Sequence, residues 1–168
     1  MSKKQNIEVK TELPDILKFH FLKALESEPK FSDAHFQLAL IYKKDGNIEK
    51  AKIHLNKAIE SDSQQIVEIE KHGNELIKKV QFQNAKVRFM RAQKLRLHCA
   101  RLYFQLSILY ENQQKIAKAK ASLKISIEMD PSFSKAHRNM GIILLNEKRY
   151  DDSRLYIDNS LQLDYNDY

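Results

Sequence analysis

Apolar residues recur along this chain with helical spacing. After Ser32 they fall at His35, Leu38, Ala39 and Tyr42, a 3-1-3 spacing that places them on one stripe of a helix. A second stripe follows at Ala51, Leu55 and Ala58, a large residue between two small ones. The same slots return as Tyr103, Leu106, Ser107 and Tyr110, then Ala119, Leu123 and Ser126. They return again as His137, Met140, Gly141 and Leu144, then Ser153, Ile157 and Ser160. Polar residues fill the positions between, so each stripe predicts an amphipathic helix and each pair of stripes a helical hairpin.

Longer matches give the period. ALESEPKFSDAH, from Ala24, returns as SIEMDPSFSKAH from Ser126, and AKIHLNKAIESDS, from Ala51, returns as AKASLKISIEMDP from Ala119. The two offsets are three and two multiples of one 34-residue period. Four units follow without insertion, at 32–65, 66–99, 100–133 and 134–167. Half a unit precedes them at 13–31, and residues 1–12 read as a flexible polar tail. Two helices per unit plus one for the half unit predict nine helices, the first from about Pro14 to Ser27. Pro29 and Pro131 stand as helix stops, Gly46 as the turn within a unit, and Gly73 and Gly141 where two helices approach closely. Unit two departs from the pattern. His72 takes a slot for a large aliphatic, and Leu95–Cys99 holds no Pro, Asp, Asn or Gly. The register preserved on both sides predicts that the turn there is kept.

The 34-residue period, the large–x2–large–small–x2–large stripe, the small–large–small second stripe and the closing proline resemble the tetratricopeptide repeat. The resemblance runs from Ser32 to the C-terminus. It implies an all-α, right-handed superhelical solenoid whose first helices line a concave groove that holds a partner protein or peptide segment. On these helices the groove slots include Phe36, Leu40 and Lys43, then Asn74, then Arg101, Phe104 and Ile108, then Lys135, Arg138 and Ile142. Apolar pairs such as Phe36/Leu40 and Phe104/Ile108 stand where solvation alone favours polar residues, which points to an interface. Chaperone-binding members of the family use a basic carboxylate clamp on these slots. Here Asn74 and Lys135 match it, whereas Glu70 has the wrong charge and Gln105 and Asn139 weaken it, so a chaperone tail is disfavoured.

Composition narrows the function. With 42% apolar residues among 168, a shared core is affordable, and only three glycines and three prolines favour long helices over an all-β fold. The net charge of +7 permits attraction to acidic partners without naming one. From Lys71 to Arg101 the one acid is Glu75, and a solvated basic face is favoured there over a patch for an acidic partner around Lys78, Lys79, Lys86, Arg88, Arg91 and Lys94. Nucleic acid is disfavoured, because Phe82 and Phe89 occupy repeat core slots rather than stacking positions. No stretch is long and uncharged enough to span a bilayer, and the single cysteine, Cys99, excludes an internal disulfide. A cytoplasmic location is the expectation.

Catalytic, metal and cofactor chemistry find no support. His35 and His137 share one core slot and read as packed, hydrogen-bonded side chains. No histidine or cysteine pair has metal-ligand spacing on one helix face. Asp151 and Asp152 suit the start of a helix. The function read from the sequence is therefore a non-catalytic interaction module: an adaptor, scaffold or assembly factor. The alternative is self-association as a homodimer through the uncapped array end, where Leu17 and Phe21 are expected to be exposed.

Overall fold

The computed structural model describes the backbone from Ser2 to Asn166 and side chains from Asp15 to Asp164, so the last position of unit four lies outside it. Seven helices follow in order: α1 (Ser2–Ser27), α2 (Ser32–Lys44), α3 (Ile48–Lys78), α4 (Phe82–Asn112), α5 (Ile116–Met129), α6 (Ser134–Asn146) and α7 (Tyr150–Asn166). No strand occurs among the described residues.

Four of the turns share one backbone design. Gly46, Val80, Gln114 and Lys148 each adopt a left-handed conformation, with φ of 75°, 59°, 58° and 61°. Each follows the expected first helix of its unit at the same register. In each, two amides reach back to close the helix. Asn47 N donates to Tyr42 O at 2.8 Å and Gly46 N to Lys43 O at 3.1 Å; Arg149 N donates to Leu144 O and Lys148 N to Leu145 O, both at 2.9 Å. This nested pair satisfies carbonyls that the helix end leaves open.

The turns between units divide into two kinds, and here the nine-helix expectation is corrected to seven. Chain reversals occur at Pro29–Phe31 and Pro131–Phe133. At the equivalent positions stand Ser63–Gln65 and Leu97–Cys99, and there the helix continues. Proline lacks an amide proton, and its ring clashes with the preceding turn, so a helix cannot run through it cheaply. Serine, glutamine, leucine and cysteine impose no such stop. The second helix of unit one therefore fuses with the first of unit two as α3, and the second of unit two with the first of unit three as α4. Each fused helix has 31 residues. The kept turn expected at Leu95–Cys99 is absent. The break that does occur, at 79–81, stays in register.

At the N-terminus α1 begins at Ser2 rather than near Pro14, so residues 2–12 are helical and Pro14 lies inside the helix. Lys, Gln and Glu dominate that stretch, and all are good helix formers.

The chain divides into two compact units, 1–61 and 62–168. In the first, Ala34, Leu38, Ala39 and Tyr42 of α2 are buried, as are Ala51, Leu55 and Ala58 of α3. Ser32 Oγ donates to Ala58 O at 3.3 Å and Ser61 Oγ to Lys30 O at 2.7 Å, tying the helices at both ends of the 28–31 turn. His35 is buried: its Nε2 donates to Pro29 O at 3.1 Å, and its Nδ1 lies 2.9 Å from Nδ1 of His54. In the second unit, Ala119 and Leu123 of α5 pack with Ala136, Met140, Ile143 and Leu144 of α6. Ser126 Oγ donates to Ala100 O at 2.8 Å, and Ser153 Oγ to Gly141 O at 2.8 Å. These serines occupy small slots of the second stripe and spend their hydroxyls on backbone carbonyls.

Candidate functional site

On α2, Phe36, Leu40 and Lys43 recur at i, i+4 and i+7 and share one face beside the core stripe. Phe36 and Leu40 are half-buried. Lys43 is also half-buried, and desolvation pulls its ammonium below the usual lysine range. On α6, Lys135 and Arg138 are exposed and Ile142 is 43% exposed. Asn74 on α3 and Arg101 on α4 are exposed. Phe104 and Ile108 are half-buried, and Phe104 is partly committed to the fold. Its ring meets Phe133 edge-on, with centroids 5.1 Å apart, and packs against the α5/α6 core. In the first unit Leu17 is 43% exposed and Phe21 half-buried; Lys18 lies over the Tyr42 ring, 4.5 Å from its centroid.

Where the two inter-unit turns are missing, a polar cluster joins α3 to α4. Asp62 is 1% exposed on α3, and its Oδ2 accepts from His98 Nδ1 of α4 at 2.7 Å. Cys99 Sγ lies 4.0 Å from the same oxygen. A thiol, an imidazole and a carboxylate together suggest a nucleophile, yet the environment opposes one. Burial, with the Asp62 carboxylate as the second cause, pushes the Cys99 thiol up to about 12, and the side chain is inaccessible. A thiolate is what reacts, so this cysteine is inert. Asp62 is not evident from the sequence, because it stands where the half unit and unit three carry their closing turns. Its burial follows only from the fused helices.

The end of the α3–α4 hairpin is the other departure. Phe82 stands at a core slot of the repeat, but it is 60% exposed; Ile77 is 43% and Met90 57% exposed. Phe89, at the next large slot, is half-buried, as expected, and sits where a Cβ on Gly73 would come within 2.9 Å of its ring. The opposite side of the hairpin is polar. Glu68, His72 and Glu75 are all exposed, at slots where unit one has Ala34, Leu38 and Ile41. Unit three has Leu102, Leu106 and Leu109 there. That exchange is readable in the sequence and matches the exposure of the three side chains. Arg96, within the basic stretch, pairs with Glu70; Lys78, Lys79, Lys86, Arg91 and Lys94 are exposed.

Among the described residues no group of three His, Cys, Asp or Glu side chains could hold a metal ion. Among them, too, no helix is long and apolar enough to cross a membrane.

Models of the tetratricopeptide repeat match residues 20–53 and 100–133. The type IV pilus assembly protein PilF of Pseudomonas aeruginosa is 26% identical over 138 residues, covering 81% of this chain; the match spans 55% of PilF, little more than half its length. Among solved structures, MamA aligns over 99% of this chain and 97% of its own at 20% identity, with a TM-score of 0.45. YrrB, described as a TPR protein with an unusual peptide-binding site, aligns over 94% and 81% at 19% identity, with a TM-score of 0.39.

Proposed function

Since the chain is a tetratricopeptide-repeat protein, we propose that it is a non-catalytic interaction module that holds a protein or peptide segment against the first helices of its units. The observation that carries this reading is the partly exposed apolar side chains on those helices beside cations. Phe36 and Leu40 accompany Lys43 on α2, and Ile142 accompanies Lys135 and Arg138 on α6. Apolar surface left in water is unfavourable, and a partner that covers it gains roughly 25 cal/mol per Å². The flanking cations orient an acidic or C-terminal carboxylate group. An assembly role of the kind named for PilF fits such a module. Affinity capture with the tagged chain from its own cells, compared with a Phe36→Glu/Ile142→Glu variant, tests the reading. Proteins captured by the first and lost with the second support it. An unchanged set of partners, with both chains folded, overturns it.

A second reading has its own observation. Leu17 is 43% exposed on α1, beside half-buried Phe21. Two copies could cover this face isologously as a homodimer. Sedimentation at micromolar concentration decides: a monomer that Phe21→Asp leaves unchanged excludes it.

A further inference from the structure

The α3–α4 hairpin exposes a face whose counterpart later in the chain is covered. Phe82, Ala85, Phe89 and Gln93 occupy, one period earlier, the positions of Ile116, Ala119, Leu123 and Ile127. On α5 that row packs against Ala136, Met140 and Leu144 of α6. The residues that would cover the α4 row in the same way, Ala100–Asn112, are instead the continuation of α4. Their own stripe is already spent, for Leu102, Leu106 and Leu109 are all buried. What remains is an open groove of about 490 Å³, lined by Ile77, Phe82, Ala85, Phe89, Met90 and Gln93, with Lys86 at its edge.

We propose that this groove receives one amphipathic helix of a partner protein, apolar along one stripe and acidic along its edge. The shape follows from the repeat: the equivalent face on α5 is filled by a helix presenting Ala136, Met140 and Leu144. The charge follows from the rim. Lys86, Met90 and Lys94 form an i, i+4, i+8 row along α4, and Lys78 and Lys79 follow Ile77 at the end of α3. Between Lys71 and Arg101 a single acid, Glu75, opposes them. A basic helix would meet like charge along this whole edge, whereas an acidic one is steered in. Single-stranded nucleic acid fits less well, since binding it takes successive exposed aromatics. Here Phe82 is exposed, while Phe89 is tucked against Gly73. The site uses none of the residues of the α2 and α6 faces, so the two can fail separately.

The probe is a labelled synthetic peptide with the sequence of Ser134–Asn146, carrying Lys135→Glu and Arg138→Glu; the unaltered basic peptide is its control. Fluorescence anisotropy with the full chain at low salt is expected to show saturable binding of the acidic peptide and about tenfold weaker binding of the basic one. Phe82→Asp, at an exposed position, is expected to weaken the acidic peptide about tenfold while circular dichroism and Tm stay unchanged. Lys86→Glu with Lys94→Glu is expected to reverse the preference. Equal binding of both peptides, no saturable binding, or indifference to Phe82→Asp overturns the proposal. So does tighter binding of a single-stranded oligonucleotide. A dimer that Phe82→Asp dissociates would give the groove to a second copy and overturn it as well.

Discussion

His137 donates from Nε2 to the carbonyl of Pro131 at 2.9 Å, and three periods earlier His35 makes the same bond to Pro29 at 3.1 Å. Both imidazoles stand at the first large slot of their unit, and both close the proline turn that precedes it. In units two and three that slot holds Ile69 and Tyr103, and no proline turn precedes either. The histidine thus belongs to the turn as much as to the core: its ring fills space and its N–H satisfies a carbonyl. His137→Phe keeps the bulk and removes the donor. It is expected to cost about 1 kcal/mol, the net worth of one such hydrogen bond. A urea melt matching the parent would show that packing alone holds the slot.

The fused helices make a sharper expectation. Leu97 occupies in α4 the position that Pro131 holds in the turn before α6. If α4 is continuous, Leu97→Pro removes a helical hydrogen bond and forces a clash with the preceding turn. The cost is then about 3 kcal/mol or more, with a loss of helical ellipticity. If the chain turned there as it does at Pro131, the same substitution would be neutral or mildly stabilising. Denaturation of this one variant shows whether residues 82–112 form one helix or two.

The sequence carried the fold's period, and the structure keeps it at every break it makes. Stripe positions such as Leu38, Leu55, Leu123 and Leu144 are buried as the spacing requires. Two local signals in the sequence point away from the regular repeat. The absence of proline at 63 and 97 is a local cue for helix continuation, yet the period argued for a turn. The polar trio Glu68, His72 and Glu75 is a cue that one hairpin face is exposed. Asp62 and the exposure of Phe82 were not readable locally. Each depends on which helix lies alongside, and that is decided by the missing turns. On α2 and α6, side chains at the groove slots retain exposed surface, while Phe104 shows the limit of slot assignment, since Phe133 claims its ring.

Val80 is a valine in the left-handed region, at φ 59°, in the turn where unit one uses Gly46. A β-branched side chain is crowded there, at about 1–2 kcal/mol for an L residue. Glycine removes that strain but gives the unfolded chain more freedom, which returns about 0.4–1 kcal/mol. Val80 is 70% exposed, so little packing is lost. Val80→Gly is therefore expected to stabilise the chain by about 0.5–1 kcal/mol. A thermal melt showing a lower Tm would mean that the turn does not hold this conformation.

Gly141 tests the opposite case, where space rather than φ demands glycine. A Cβ there would lie 2.7 Å from Ile157 Cδ1 and 3.2 Å from the carbonyl oxygen of Ser153. The isoleucine tip can swing away. The carbonyl belongs to α7 and can move only with its helix. Alanine gains about 1 kcal/mol in helix propensity, whereas overpacking costs about 1–3 kcal/mol. Gly141→Ala is expected to be destabilising by about 1 kcal/mol in a chemical melt, and a stabilised variant would show that α6 and α7 lie farther apart.

The paired histidines of the first unit carry the pH dependence. His35 Nε2 spends its proton on Pro29 O, so its Nδ1 accepts, and His54 Nδ1–H supplies the bond at 2.9 Å. This is the arrangement of two neutral rings, and burial favours it over a charged one. Burial, then the charge that a protonated His35 would bring, then Lys57 and Lys50 push His54 down to about 4. Burial also lowers His35. In the unfolded chain each takes up its proton near 6.5. Above that value neither state binds the proton, and the pair's full contribution is present. As pH falls from about 6.5 toward 4, the unfolded chain binds protons that the folded chain refuses, so stability declines across that window. His54→Asn retains a donor near Nδ1 but cannot titrate. It is expected to flatten the fall in urea midpoint between pH 7 and pH 4.5 relative to the parent, while carboxylate titrations cancel in the comparison. Parallel losses in the two chains would mean that the pair is protonated, or open, in the folded state.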